Sequence, residues 1–138
     1  MKKYEIIEHT ADIGIKAYGE DLKGLFSNAA VGMFDIIVGK KRDSTGKSQK
    51  FEIEKQAESV EDLLVEWLGE LLFLSSIKNI VFETFNIEEL DQRHIKAVAV
   101  GTDLGNYSIE TEIKAVTYHM LEVVKKDNCW QAQLIFDI

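Results

Sequence analysis

The segment from Asp62 to Leu74 constrains the fold of this chain most strongly; it reads DLLVEWLGELLFL. Its apolar residues recur at steps of three and four, which places them on one face of an α-helix at 3.6 residues per turn. Ser59 precedes Asp62 by three positions, so its hydroxyl can cap the first free amides while the carboxylate lies near the positive helix end. The spacing therefore predicts an amphipathic helix whose apolar face packs on the rest of the molecule, through Leu63, Leu64, Trp67, Leu68, Leu71 and Leu72.

The opposite face of this helix carries three acidic residues at i, i+4 and i+8, namely Asp62, Glu66 and Glu70. Like charges at this spacing destabilise a helix by about 0.2–0.5 kcal/mol per pair. Two interpretations are open. The acidic line is either a solvated helix face or a partner-docking strip for a basic protein surface.

Length, charge and cysteine content limit the class of protein. With 138 residues the chain can build one core, and we expect one domain over residues 1–138. No apolar run approaches the roughly 20 residues of a transmembrane helix, and Glu5 and Glu8 interrupt the N-terminal segment where a signal peptide would be apolar. The single cysteine, Cys129, fits a reducing compartment. We therefore expect a cytoplasmic protein.

The net charge disfavours tight binding to RNA or DNA. The 24 acidic and 16 basic side chains give a formal charge of −8, which repels the phosphate backbone that supplies most nucleic-acid affinity. One basic cluster occurs within a segment rich in Gly, Ser and Thr, which predicts either a solvated loop or a local contact for an anion. This cluster consists of Lys40, Lys41, Arg42, Lys47 and Lys50.

Alternation and turn residues predict the elements of the first half of the chain. Residues 4–9 and 13–18 favour two strands, and Gly19 closes the second. Asp21 can cap a helix with an apolar stripe from Leu22 to Ile37, which we expect Gly39 to end. A loop then leads to a short strand over residues 50–55.

The second half predicts mostly strands, over residues 79–85, 94–100, 107–116, 117–125 and 129–138. The last two form a hairpin that turns at residues 126–128, and Trp130, Ala132, Leu134 and Phe136 share its core-facing side. The predicted fold class is α/β, more narrowly α+β. We expect a single two-layer domain with two amphipathic helices on one side of a mostly antiparallel or mixed sheet of about seven or eight strands.

The two ends of the chain offer a candidate cation site. With a tight turn in the C-terminal hairpin, we expect Asp137 to lie opposite Thr117 or Tyr118, beside His119. The Asp137 side chain and the main-chain carboxylate of Ile138 are then two anionic groups, and Asp12 is a third if the first turn reaches the same edge. Three such groups suit a hard cation such as Ca²⁺ or Mg²⁺. The alternative is that Asp137 is simply exposed and Asp12 caps a turn.

The histidines allow a second interpretation of the same edge. His9 and His119 are either an acid/base pair or cation ligands, or they are hydrogen-bonded structural residues at strand ends. His94 borders a strand without an evident companion. The chain has no phosphate-binding glycine motif, no G-x-S-x-G elbow and no C-x-x-C pair. Residue chemistry alone thus predicts an α/β domain with a candidate cation site.

Four blocks of the sequence carry a resemblance that goes further. The chain resembles the archease family over essentially its full length, with the blocks in the same order. They are His9-Thr10-Ala11-Asp12, Asp62-Leu63-Leu64-Val65-Glu66-Trp67-Leu68, Ile113-Lys114-Ala115-Val116-Thr117-Tyr118-His119 and Ile135-Phe136-Asp137-Ile138. Gly69 departs from the Asn expected after the second block, and a glycine within a helix costs up to about 1 kcal/mol relative to alanine.

The resemblance implies a small, non-catalytic activator of the GTP-dependent tRNA-splicing RNA ligase, which promotes guanylylation of the ligase and its multiple turnover. It also implies a bound divalent cation, commonly Ca²⁺ with Mg²⁺ or Mn²⁺ as alternatives, at positions that match Asp12, Asp137 and Ile138 here. His9 and His119 are candidate supporting residues. An acidic protein suits this role because it can contact the basic surface of an RNA enzyme.

Two other function classes compete with the ligase activator. One is a chaperone or specificity factor for a tRNA-modifying enzyme such as a tRNA methyltransferase, a role also associated with the family. The other is a metal-dependent hydrolase that uses His9 or His119 as its base.

Overall fold

The computed structural model describes residues 2–8, 11–42 and 46–138. The described residues form two α-helices, a short 3₁₀-helix at Leu104–Asn106 and nine β-strands. The elements follow the order β1 (Tyr4–Glu8), β2 (Ile13–Gly19), α1 (Leu22–Ile37), β3 (Val38–Lys41), β4 (Gln49–Gln56), α2 (Val60–Lys78), β5 (Ile80–Leu90), β6 (His94–Asp103), β7 (Tyr107–Ile109), β8 (Ala115–Lys126) and β9 (Cys129–Asp137).

The described strands pair antiparallel in three sheets. The largest has the order β1-β2-β9-β8, a second has the order β4-β6-β5, and β3 pairs with β7 in a two-stranded sheet. β9 thus lies between β2 and β8, and it brings the C-terminal end of the chain beside the first hairpin. The predicted α+β class with mostly antiparallel strands is confirmed, although the strands divide among three sheets instead of one.

α1 begins and ends where its apolar stripe predicts, but a strand follows it directly. The Asp21 side chain accepts a hydrogen bond of 2.7 Å from the amide of Gly24 and caps the first turn. The last helical residue is Ile37, and Val38 continues directly into β3. The predicted end is therefore confirmed, with Gly39 just past the C-cap Val38, although Gly39 lies in β3 and not in a left-handed conformation. Lys40 and Lys41, predicted to lie in a loop, belong to a strand.

α2 is longer than its apolar stripe alone indicates. The Ser59 hydroxyl accepts a hydrogen bond of 3.1 Å from the amide of Asp62, as predicted. The helix continues to Lys78, where Asn79 adopts a left-handed conformation and its N–H bonds the carbonyl of Ser75. The apolar stripe predicted for this helix is buried, apart from Leu72, which is half-buried.

The core lies where both helices meet the two larger sheets. α1 contacts β2 and β5, and α2 contacts β8 and β4. Trp67 is fully buried, and its indole N–H donates a 3.0 Å hydrogen bond to the carbonyl of Phe26, which ties the helices together. Ala132, Leu134 and Phe136 of β9 point into this core as predicted. None of the described helices is both long enough and apolar enough to cross a membrane.

The C-terminal hairpin has the predicted turn and an unpredicted bulge. Lys126 pairs with Cys129, and the two residues between them, Asp127 and Asn128, have φ of 53° and 62°, which is typical of a type I′ turn. Further along, Glu122 pairs with Gln133 but Thr117 pairs with Ile135. Four residues of β8 (118–121) therefore stand opposite one residue of β9, and this bulge shifts the register by three.

Residues 107–116 do not form the single strand that the sequence predicts. β7 ends at Ile109, residues 110–114 have no regular structure, and β8 begins at Ala115. The irregular segment is held by its backbone, because the amide of Glu110 bonds the carbonyl of Ile37 at 2.9 Å and the amide of Lys114 bonds the carbonyl of Asp137 at 2.7 Å. The segment crosses from the two-stranded sheet to the four-stranded sheet.

Candidate functional site

The register of β2 and β9 places Asp12 and Asp137 at the same end of the four-stranded sheet. Ile13 pairs with Phe136, so Asp12 immediately precedes one member of that pair and Asp137 immediately follows the other. In an antiparallel ladder, residues one step beyond a pair again lie side by side. The register thus places the backbones of Asp12 and Asp137 at neighbouring positions, and the cation site predicted there stays a prediction. Ile138 follows at the same edge.

The carboxylates at this edge differ in exposure. Asp12 is half-buried and its Oδ1 is shielded from solvent. Asp137 is exposed and Ile138 is 40% exposed. The main-chain carbonyl of Asp137 accepts the hydrogen bond from the amide of Lys114, which fixes the end of β9 against the segment before β8. We call this group of three residues (Asp12, Asp137 and Ile138) the acidic edge.

The neighbour of Asp137 across the C-terminal hairpin is not the predicted one. Asp137 pairs with Ala115 and not with Thr117 or Tyr118. The cause is the bulge of residues 118–121, which moves the register of the first part of β8 relative to a regular hairpin. His119 lies within this bulge, so the prediction that it stands beside Asp137 is wrong.

The structure describes two of the three histidines, and these two differ in role and place. His9 lies outside the described residues. His119 is exposed, and its amide donates a 3.3 Å hydrogen bond to the hydroxyl of Thr117. His94, predicted to lack a companion, contacts the Glu54 carboxylate at 2.6 Å through Nε2. This contact holds the pKa of Glu54 below its usual value. The contact therefore belongs to the β4–β6 pair and lies away from the acidic edge.

The acidic line of α2 is partly engaged by neighbours within the chain. Lys55 of β4 lies 3.2 Å from Glu70 and 4.0 Å from Glu66. The Asp62 carboxylate lies near the hydroxyl of Tyr118, and burial together with this carboxylate raises the pKa of the tyrosine. The Glu66 side chain is nevertheless 50% exposed. The line is thus neither fully solvated nor fully paired, and its docking role remains a prediction.

The outer face of α2 continues beyond the acidic line with apolar residues that the sequence analysis missed. Phe73 and Ile77 are 56% and 53% exposed. The steps from Asp62 to Glu66, Phe73 and Ile77 are four, seven and four residues, which places all four on the same side of the helix. This spacing would have revealed them had the helix been extended to Lys78 in the prediction.

Within residues 2–8, 11–42 and 46–138, no three His, Cys, Asp or Glu side chains stand close enough together to hold a metal ion. The acidic edge has two such side chains, those of Asp12 and Asp137. The third anionic donor predicted for a cation there is a main-chain group, the carboxylate of Ile138.

Comparison with known sequences places the chain in a family. The model of the Archease protein family (MTH1598/TM1083) matches residues 4–138. The protein archease of Methanosarcina acetivorans is 45% identical over 145 residues, covering 99% of this chain and 97% of that protein. The protein archease of Pyrococcus abyssi is 39% identical over 144 residues, with both chains fully covered.

Solved structures agree with this assignment. The solution structure of Methanobacterium thermoautotrophicum protein 1598 superposes with a TM-score of 0.76 at 33% identity and covers both chains fully. The crystal structure of an archease from Thermotoga maritima, described as a possible chaperone, has a TM-score of 0.65 at 24% identity and covers 96% of this chain and 94% of that one. The second likeness concerns the fold alone. On these matches, this chain belongs to the archease family.

Proposed function

We propose that this protein is a cytoplasmic, non-catalytic activator of a GTP-dependent RNA ligase that splices tRNA or repairs RNA, and that the acidic edge is its effector site. The observation that carries the proposal is the juxtaposition of Asp12 and Asp137 by the β2–β9 register, in a chain of the archease family. The formal charge of −8 supports an action through the enzyme rather than through the RNA.

The donors at the acidic edge fit a hard divalent cation. Ca²⁺, Mg²⁺ and Mn²⁺ prefer carboxylate oxygens, and Oδ1 of Asp12 is shielded from water while Asp137 is open to solvent. Asp12 and Asp137 would hold the cation with their side chains, and Ile138 with its main-chain carboxylate. When bound, such a cation supplies positive charge that can polarise a phosphate oxygen.

The chain's own residues act by position and charge. Asp12 and Asp137 present a concentrated negative charge at the end of a sheet, which favours approach to a basic enzyme surface. In the proposed complex this edge lies near the metal and nucleotide site of the ligase. There it stabilises the geometry for attack of the ligase on the α-phosphate of GTP.

Replacement of each carboxylate tests the proposal. The ligase from the same organism is mixed with this protein, and ligase guanylylation and ligation events per ligase molecule are measured. We expect Asp12→Asn and Asp137→Asn to lower stimulation by at least about tenfold, equal to about 1.4 kcal/mol, with little change in Tm in metal-free buffer. Asp127→Asn is the matched control, because Asp127 lies exposed in the hairpin turn with φ of 53°, a conformation that Asn tolerates.

Two results would contradict the proposal. One is a wild-type protein that leaves the ligase at one turnover or fewer. The other is full stimulation by both variants, which would remove the acidic edge from the mechanism. A large loss of Tm in both variants would instead assign the two carboxylates to the fold.

A second candidate function is that of a chaperone or specificity factor for a tRNA-modifying enzyme such as a methyltransferase. The exposure of Phe73 and Ile77 favours it, because exposed apolar side chains are typical of surfaces that bind other proteins. Turnover measured with each enzyme in parallel separates the two functions. The same preparations, assayed for hydrolysis of nucleotides and phosphoesters with Ca²⁺, Mg²⁺ or Mn²⁺, test the metal-dependent hydrolase.

A further inference from the structure

A long groove runs beside α2 and is lined by residues that the acidic edge does not use. Its two walls are α2 itself and the chain from Ile109 to Val116, and we call it the α2 groove. It consists of two adjoining cavities of about 530 Å³ and about 320 Å³. The cavities share four lining residues, Leu72, Ser76, Glu112 and Ile113, so they form one continuous depression.

Large apolar side chains border the α2 groove and remain open to solvent. Phe73 lines the larger cavity, and Ile77 follows it one turn later on the same helix. Ile109 lines the smaller cavity and is 49% exposed. Phe73 and Ile109 thus give the depression exposed apolar walls, and Ile77 extends this surface beyond the lining residues. Exposed apolar surface of this kind marks protein interaction sites.

Gly69 lines the larger cavity of the α2 groove, and no contact within the fold requires a glycine there. A Cβ built on Gly69 meets no heavy atom within 4 Å. Glycine in a helix costs about 1 kcal/mol relative to alanine, so no internal contact explains its presence. Space at this position allows another chain to approach the helix backbone.

The charges around the α2 groove favour a basic partner. Asp62 and Glu66 precede Phe73 on the outer face of α2, and Glu112 lines the opposite wall. Lys114 also lines that wall, so acidic side chains outnumber basic ones around the groove. Lys55 lies closer to Glu70 than to Glu66, which leaves Glu66 half exposed. A second copy of this chain would bring the same acidic groups together under a charge of −8 each, and RNA would bring phosphates against them.

The α2 groove also leads to the acidic edge. Ala115 lines the groove and is the register partner of Asp137 on β9. Lys114 lines the groove as well, and its amide bonds the carbonyl of Asp137 at 2.7 Å. A segment that fills the groove therefore reaches Lys114 and Ala115, the backbone neighbours of Asp137.

We propose that the α2 groove is the docking surface for the activated enzyme, and that it binds a segment of that enzyme whose apolar side chains are flanked by Lys or Arg. The inference rests on the proposed function, since it takes the ligase as the partner. Phe73, Ile77 and Ile109 supply apolar contact, while Asp62, Glu66 and Glu112 pair with the flanking basic residues. The groove supplies affinity, and the acidic edge supplies the effect on the reaction.

The experiment measures the Kd between the fluorescently labelled protein and the ligase, together with stimulation of turnover. We expect Phe73→Asp and Gly69→Leu to raise the Kd by at least about tenfold, the size typical of a residue at the centre of an interface. Gly69→Leu removes no side chain and its Cβ meets no heavy atom within 4 Å, so we expect it to fill the groove while the fold is kept. Val124→Asp is the control, because Val124 is exposed on β8 and does not line the groove.

Asp12→Asn separates docking from effect. We expect it to bind the ligase with nearly the wild-type Kd and to stimulate it poorly, whereas Phe73→Asp should recover stimulation at saturating concentration. Added salt should weaken wild-type binding, because charge pairs at the rim are screened.

Three results would overturn the inference. If wild type stimulates the ligase but Phe73→Asp and Gly69→Leu bind with the wild-type Kd, the groove is not the docking surface and the proposed function stands. If sedimentation shows a dimer of this protein that Phe73→Asp abolishes, the occupant is a second copy. If wild type neither binds nor stimulates the ligase, the proposed function fails together with this inference.

Discussion

Replacement of Gly69 by alanine should stabilise the protein, and the structure sets the size of the effect. Glycine in a helix interior is less favourable than alanine by about 0.8–1 kcal/mol, because it loses more backbone freedom on folding. Gly69 lies in the middle of α2, and a Cβ there meets no heavy atom within 4 Å. No steric overlap offsets the gain, so we expect the free energy of unfolding to rise by about 0.8 kcal/mol.

The change is large enough to measure by calorimetry and by urea denaturation. With an unfolding entropy of about 2.1 cal/mol/K per residue, a chain of 138 residues has a total of about 290 cal/mol/K near its Tm. A gain of about 0.8 kcal/mol then raises Tm by about 3 °C. The urea midpoint should rise while the slope m is unchanged, because the surface exposed on unfolding is nearly the same.

Gly19→Ala is the matched control, and we expect it to lower the free energy of unfolding. A Cβ on Gly19 would lie 2.2 Å from the amide nitrogen of Leu25 and 2.7 Å from the carbonyl carbon of Gly24. These are backbone atoms of α1 that cannot rotate away, so we expect a loss of about 2 kcal/mol or more. If Gly69→Ala unfolds at or below the wild-type midpoint, the reasoning about α2 is refuted.

Three further predictions concern pH and cation binding. Burial of Glu83 favours its neutral form, but hydrogen bonds from Lys41 and Tyr107 outweigh burial and hold its pKa below the usual 4.5. This stabilising contribution is present above pH 4.5 and lost as the pH falls further, so Glu83→Gln should flatten the acid limb of a curve of Tm against pH. Burial, with a hydrogen bond to a neighbouring carboxylate, raises the pKa of Tyr4 from 10.0 to about 12. The stabilising contribution of Tyr4 is present below pH 10 and is lost as the pH rises through about 12. The Tm of Tyr4→Phe should therefore fall less over that pH range than the Tm of wild type. A short Gly-Ser extension after Ile138 should weaken Ca²⁺ binding in titration calorimetry, and an unchanged affinity would remove the main-chain carboxylate from the proposed site.

The helices were predictable because their signals are local. Asp21 and Ser59 cap the first turns through side chains three residues from their targets, and the apolar stripes repeat at the helical period. The ends of the helices were harder to predict. β3 follows α1 at Val38 because this strand pairs with β7, about 70 residues later. The sequence of the helix contains no signal for such a distant partner.

Some features of the strands could not be predicted from the residue pattern. Residues 107–116 have the composition of one strand, yet the chain leaves one sheet after Ile109 and joins another at Ala115. The turn at Asp127 and Asn128 was predictable from turn chemistry. The bulge at residues 118–121 was not, because its extra residues have the same strand propensity as their neighbours.

The acidic edge was partly predictable and its surroundings were not. The nearness of Asp12 and Asp137 depends on β9 pairing with β2, and the register shows this pairing. From the sequence, Asp12 was expected there only if the first turn reached the same edge. The α2 groove depends on residues 110–114 crossing beside α2 without regular structure. Only the tertiary arrangement brings Gly69 opposite that segment.

The place of β9 in the four-stranded sheet has a consequence during synthesis. β9 leaves the ribosome after the other eight described strands, yet it occupies an interior position between β2 and β8. Until it emerges, the β1–β2 hairpin has one edge without its native neighbour, and such edges invite wrong pairing with other nascent chains. A nonsense mutation or proteolytic cut that removes only β9 should therefore send the whole protein to degradation.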